Sequence, residues 1–200
     1  MNYHRKCDII ILILFSMTII IPLKKKRSFT SYTITTPDGG NTMKNFEFRY
    51  ATEDDAALVL EFIKGIATYE KMLDEVVNTE ELIKEVVFGK GNAEVIFALE
   101  DGKEVGFALF FHNYSTFVGR SGIHLEDLFV WPEHRGKGYG KALFCEVARI
   151  AKERKCGRME WTCLNWNEPS IKFYLSLGAV PMDEWTTYRL TEDKIAALVK

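Results

Sequence analysis

Ahead of a stretch with helical periodicity the chain reads Arg135-Gly136-Lys137-Gly138-Tyr139-Gly140-Lys141. Alternating glycines let a backbone turn tightly and present bare N–H groups to a ligand, and a helix N-terminus adds a field that favours an anion. That combination is a phosphate cradle. It lacks the GxxxxGK[ST] spacing of a Walker loop and the GxGxxG spacing of a dinucleotide fingerprint. The glycines alone also fit a plain strand-to-helix turn, but the cations Arg135, Lys137 and Lys141 on both sides favour a diphosphate. The four cysteines (Cys7, Cys145, Cys156, Cys163) form no CxxC pair and no Cys/His cluster at zinc spacing, so reduced thiols and no metal are expected. Cys163 has no histidine near it in sequence to activate it as a nucleophile.

The elements around this loop follow from hydrophobic periodicity. Phe46–Tyr50 alternates at period two and predicts a half-buried strand. Thr52 with Asp55 predicts a helix start, continued by Ala56, Leu60, Ile63 and Ala67 at helical spacing. A second short helix is expected over about 80–88, opened by Asn78 and Glu81 as a capping box. Two strand-like runs, 93–99 and 105–114, flank Asp101-Gly102, a hairpin signal. A strand over 123–130 follows, then the glycine loop, a long helix over 138–154 with Leu143, Val147, Ile150 and Ala151 on its apolar face, a strand over 159–164, a helix over 169–177 and a final strand near 186–190. Hairpins give antiparallel neighbours and helical crossovers give parallel ones, so the fold class is α/β with a mixed sheet.

Apolar residues make up 47% of the 200 and charged residues 27%, enough for one real core and far from a disordered or polytopic membrane chain. A net charge of −2 excludes a general nucleic-acid binder. The first 42 residues carry six basic and two acidic groups, which leaves residues 43–200 at −6, compatible with a cationic small substrate. Two regions are expected: a leader and linker over 1–42 and a folded domain over 43–200. The apolar run Ile9–Leu23 is short for a bilayer span and is followed by Lys24-Lys25-Lys26-Arg27 instead of a small-residue cleavage site. Translation beginning at Met43 is the favoured reading. An N-terminal anchor holding the domain at the cytoplasmic side of a membrane is the alternative.

Three separated motifs in order, Leu125-Glu126-Asp127-Leu128-Phe129-Val130, the glycine loop, and Asn165-Trp166-Asn167-Glu168-Pro169-Ser170-Ile171-Lys172-Phe173-Tyr174, resemble the GNAT superfamily of acetyl-CoA-dependent N-acetyltransferases. Within it the chain is most similar to the diamine (spermidine/spermine) acetyltransferases, sharing also Tyr69-Glu70 and Gly178-Ala179, and the likeness covers nearly all of 45–190. The resemblance implies an acyl-CoA N-acyltransferase fold, with helices flanking a mixed sheet that splays between its fourth and fifth strands. It implies that Leu128, Phe129 and Val130 meet the pantetheine arm of acetyl-CoA, that Arg135, Gly136, Lys137, Gly138, Tyr139, Gly140 and Lys141 hold the diphosphate, and that Asn167, Ser170 and Tyr174 add cofactor contacts. On the acceptor side it implies Tyr69, Glu70, Glu126 and Glu184. A cytoplasmic homodimer is the usual form of such proteins.

Acetyl transfer to an amine needs two proton movements. Only about one alkylamine in a thousand is neutral at pH 7, so a base must produce the nucleophile; Glu126, directly or through water, is the candidate. The departing thiolate benefits from a proton, and Tyr174 matches the family's general acid. Spacing alone reads several of these residues differently. Tyr174 shares a helical face with Ile171 and Leu175 as a packed aromatic, Asn167 and Ser170 serve as helix caps, and Glu126 is a solvated strand carboxylate. Glu160 and Trp161 depart from the polyamine enzymes and leave room for a lysine-like amino acid acceptor. A protein amine as acceptor, or a non-catalytic CoA-binding module, are the remaining alternatives.

Overall fold

The computed structural model describes residues 30–31 and 45–199. The apolar run, its basic flank and the start at Met43 lie outside the described residues. Within the stretch read as a linker, Thr30–Ser31 forms a short strand, β1, paired antiparallel with β2 (Phe46–Tyr50).

The sheet runs β1-β2-β3-β4-β5-β6, with β3 at Glu94–Glu100, β4 at Lys103–Ser115, β5 at Arg120–Val130 and β6 at Met159–Glu160. Each neighbouring pair is antiparallel except β5 and β6, which are parallel. The β3–β4 hairpin turns at Asp101 and Gly102, both with positive φ (49° and 77°), the geometry a tight Asp-Gly hairpin turn demands.

Helices cover both faces. β3 is buried on both sides, which explains its nearly unbroken apolar sequence: Val95, Phe97 and Leu99 face one layer, Ile96 and Ala98 the other. The first layer holds Ala56, Val59 and Phe62 of α1 (Ala56–Glu70) with Ile83; the second holds Leu143, Val147 and Ile150 of α3 (Tyr139–Glu153). Each large aliphatic or aromatic side chain so buried contributes roughly 1.5–3 kcal/mol.

Local signals place the helix starts. At the expected entry to α1 the Thr52 backbone N–H donates to Asp55 (2.7 Å), and Asp55 also pairs with the Arg49 guanidinium (2.8 Å). A 3-10 turn over Glu53–Asp55 precedes α1. The second helix differs from expectation. Its α-helical part, α2, is only Glu80–Leu82, and a π-helical turn follows over Ile83–Gly89. The capping oxygen belongs to Thr79, which accepts from the Leu82 N–H, and not to Asn78. α4 spans Glu168–Ser176 and is capped by Asn167, whose side chain accepts from the Ser170 N–H.

Two strand expectations are corrected. The run 159–164 contributes only two residues to the ladder, Met159 opposite Ile123 and Glu160 opposite His124, because the chain then turns away from β5. Thr186–Leu190 is no strand: this β-branched segment finds no sheet edge and lies exposed, followed by α5 at Glu192–Leu198.

Candidate active site

The ladder between β5 and β6 stops at His124 and Glu160, while β5 continues to Val130. From there the fourth and fifth strands counted from Phe46 part, and a cleft of about 470 Å³ opens between Leu128, Phe129 and Val130 on one wall and Thr162, Cys163 and Leu164 on the other. Backbone groups along the opening side of β5 have no strand partner among the described residues. Such an edge is costly to leave unpaired and suited to an extended ligand that pairs as a strand would.

A bulge re-aims the residues of β5 at this opening. Leu109 sits opposite Asp127 and Phe110 opposite Leu125, so Glu126 is the extra residue with no partner across the ladder. Ile123 and Leu125 pack in the α3 layer before the bulge, Leu128 and Val130 after it, and Phe129 turns to the α1 layer. Glu126 lines the cleft with its side chain 56% exposed and its carboxylate 3.6 Å from His124.

Asp127, beside it, was not singled out from sequence. Burial, reinforced by the charges of Glu126 and Glu70, pushes its carboxyl up to about 7. Burial also raises Glu70, which lines the cleft with Tyr69 at the C-terminal end of α1. The penalty on the Asp127 anion is absent below about pH 4, where the unfolded chain is protonated too, grows as pH rises and is complete above about 7. Asp127→Asn is therefore expected to stabilise the protein by about 1–3 kcal/mol at pH 8 and to lose most of that gain near pH 4, as read by urea unfolding at both values. Equal midpoint shifts at the two pH values would show that Asp127 carries no such penalty.

The glycine loop closes one end of the cleft. Gly136 (φ 78°) and Gly138 (φ 87°) adopt left-handed backbone, Gly138 as the N-cap of α3, and a Cβ at either would meet nothing within 4 Å. Gly136, Gly138, Gly140, Tyr139 and Lys141 all line the cleft, and the space beside the two left-handed glycines is open. Of the flanking cations, Arg135 and Lys141 line the cleft and Lys137 does not. Lys137 pairs with Glu100 at 3.0 Å and is not among the lining residues. Arg135 donates from Nε to the Val130 carbonyl (2.9 Å) and lays its guanidinium over the Tyr69 ring at 4.8 Å. Tyr139 is buried, stacked on Phe46 at 4.9 Å, with its hydroxyl on Glu100. What this end of the cleft offers an anion is the α3 N-terminus with its backbone N–H groups, and Lys141 on the first turn.

Across the opening the Tyr69 hydroxyl donates to the Asn167 side-chain oxygen (3.0 Å), so two expected site residues 98 positions apart are joined directly. Asn167 is buried and caps α4; Ser170 and Tyr174 of that helix line the same cleft. The Tyr174 ring packs against Phe144, Trp161 and Phe173, and burial, with the charges of Cys163 and Glu70, pushes its phenol up to about 12. Burial raises the Cys163 thiol as well, which keeps it protonated and a poor nucleophile. Glu184 lies exposed in the segment after α4 and does not join the cleft lining. Glu160 turns away from the opening, toward Asn113 (2.8 Å) and Arg158 (3.0 Å). Among the described residues no three His, Cys, Asp or Glu side chains group as a metal site requires.

Comparison with known proteins agrees with this geometry. Residues 62–179 match the family described as the acetyltransferase (GNAT) family. The chain is 33% identical over 151 residues to the thialysine N-epsilon-acetyltransferase of Caenorhabditis elegans, covering 74% of this chain and 93% of that protein. It is 27% identical over 168 residues to the spermidine/spermine N(1)-acetyltransferase-like protein 1 of Homo sapiens, covering 77% of this chain and 24% of that protein. An integron cassette protein from the mobile metagenome of V. cholerae has the same fold, with a TM-score of 0.65 at 29% identity over 78% of this chain and 98% of its own.

Proposed function

The chain belongs to the acetyltransferase (GNAT) family and transfers an acetyl group to an amine, and on that premise we propose that its acceptor is a small polyamine or diamine, attacking acetyl-CoA directly while both substrates are bound. The observation that carries the acceptor class is the pair of carboxylates Glu70 and Glu126 lining the cleft, both close enough to act on the Asp127 carboxyl behind it, a crowding of negative charge that a bound cation relieves. Acetyl-CoA supplies an activated acyl group as a thioester. The open cradle at Gly136 and Gly138 fits its diphosphate, and the unpaired edge of β5 fits its pantetheine arm.

The chain's own groups then divide the work. A bound ammonium loses its proton to Glu126 or to a water that Glu126 holds, at a position the bulge turns toward the opening. Backbone N–H groups of Leu128–Val130 stabilise charge on the thioester oxygen. Tyr174, protonated throughout the neutral range, donates to the departing sulfur. Tyr69 and Glu70 hold the acceptor, and Asn167 and Ser170 support the cofactor wall. Among the described residues Cys145, Cys156 and Cys163 stand unbridged, which is compatible with a cytoplasmic setting. The exposed apolar side chains of the C-terminal segment, among them Trp185, Tyr188 and Leu198, support a homodimer in which they are covered.

A second reading is favoured by the relative named as a thialysine N-epsilon-acetyltransferase: a lysine-like amino acid as acceptor. Steady-state kinetics with putrescine, spermidine, spermine, lysine, thialysine and an N-terminal peptide separate the two. We expect kcat/KM for the best di- or polyamine to exceed that for lysine and the peptide by about tenfold or more, the discrimination one extra charge-assisted contact provides. Turnover confined to thialysine and lysine would move the assignment to the second reading, and turnover confined to the peptide would remove both.

A further inference from the structure

Glu100, the last residue of β3, lies outside the cleft, yet the glycine loop is tied to it at three points. Its carboxylate accepts from the Tyr139 hydroxyl (2.5 Å) and from Lys137 Nζ (3.0 and 3.1 Å), and His134 Nδ1 lies at 2.9 Å. These partners bracket the loop: His134 stands before Gly136, Lys137 between the two left-handed glycines, and Tyr139 at the first turn of α3. The Tyr139 hydrogen bond, followed by those of Lys137 and His134, holds the Glu100 carboxyl below its ordinary range. A loop with glycines at 136, 138 and 140 has many accessible shapes, and each residue ordered on binding costs about 1–2 kcal/mol. Fixing the shape beforehand removes that cost from the binding step.

We propose that Glu100 is a positioning residue: from β3, and without touching the ligand, it holds the 134–139 loop in the shape that binds the coenzyme's diphosphate and so sets affinity for acetyl-CoA. The inference rests on the reading of the glycine loop as the diphosphate site. It runs against simple electrostatics. A carboxylate near a diphosphate repels it and occupies Lys137, so if charge alone governed, Glu100→Gln would tighten CoA binding. If loop shape governs, the same substitution weakens it.

The test is calorimetric titration of the full chain with CoA, together with steady-state kinetics, for wild type, Glu100→Gln and Tyr139→Phe. The second variant removes the shortest of the three bonds while keeping the ring stacked on Phe46, and it carries the test if the first does not fold. Expected is a rise of about tenfold in Kd for CoA and in KM for acetyl-CoA for Glu100→Gln, and about threefold for Tyr139→Phe, with kcat at saturating acetyl-CoA and KM for the amine within about twofold. CoA bound by both variants as tightly as by wild type, or more tightly, would overturn the proposal, as would a parallel fall in kcat and rise in amine KM. A wild-type chain that does not bind CoA would instead overturn the reading of the loop itself, so the two failures are distinguishable.

Discussion

Tyr174→Phe is expected to lower kcat by about 10²–10⁴-fold while leaving KM for acetyl-CoA within about threefold. The substitution removes one oxygen and leaves the ring among Phe144, Trp161 and Phe173, so packing changes little and the loss reads the hydroxyl. A phenol at about 12 holds its proton well past that of a thiol, ordinarily near 8.5, and in the proposed role would therefore act as a hydrogen-bond donor to charge developing on sulfur, not as a group that gives up its proton ahead of bond cleavage. The sign of the pH dependence follows. The acid must be protonated, so no descending limb from Tyr174 is expected in kcat/KM up to about pH 10, where an unperturbed phenol would already have lost half its effect. A Phe variant with wild-type kcat would remove Tyr174 from the reaction.

The second large effect is at the loop. Gly138→Val is expected to raise KM for acetyl-CoA about 100-fold, with kcat at saturation changed much less. Gly138 has φ 87° at the N-cap of α3, where a β-branched residue is an outlier costing on the order of 1–3 kcal/mol. The valine methyls would also occupy the open space a Cβ at this position faces, which is where an anion must approach the helix terminus. Calorimetry with CoA and a thermal unfolding scan separate the two contributions: loss of binding with a retained transition reads the blocked cradle. Undiminished CoA affinity would place the diphosphate elsewhere.

What the sequence made legible was whatever is local. The glycine loop, the Asp101-Gly102 turn, the Thr52–Asp55 helix entry and the apolar stripe of α3 each depend on residues within one or two turns of each other, and each is where it was expected. What depends on partners far along the chain was not legible. The bulge at Glu126 exists only in the register between β4 and β5, and although the two polar residues Glu126-Asp127 break the alternation, nothing local says that Asp127 will feel the charge of Glu70. Lys137 reads as a phosphate ligand until Glu100, 37 residues upstream, is placed next to it. The strand expected over 159–164 has the right composition for its whole length, but only a neighbour makes a strand, and β5 supplies one for two residues. The final strand failed for the same reason. A signal for Asp127 did exist: two adjacent carboxylates on a strand cannot both face solvent if the strand lies within a covered sheet.

The parting of β5 from β6, the last strand of the sheet, after two rungs leaves an adhesive seam along that side. A stray strand from another molecule fits such a seam as well as a coenzyme does, so a freshly made chain short of its cosubstrate is the form most exposed to clumping. On the proposed reading, acetyl-CoA seated in the seam would shift the folding balance by mass action and shield it from wrong partners. The abundance of usable enzyme would then follow the supply of the acyl donor.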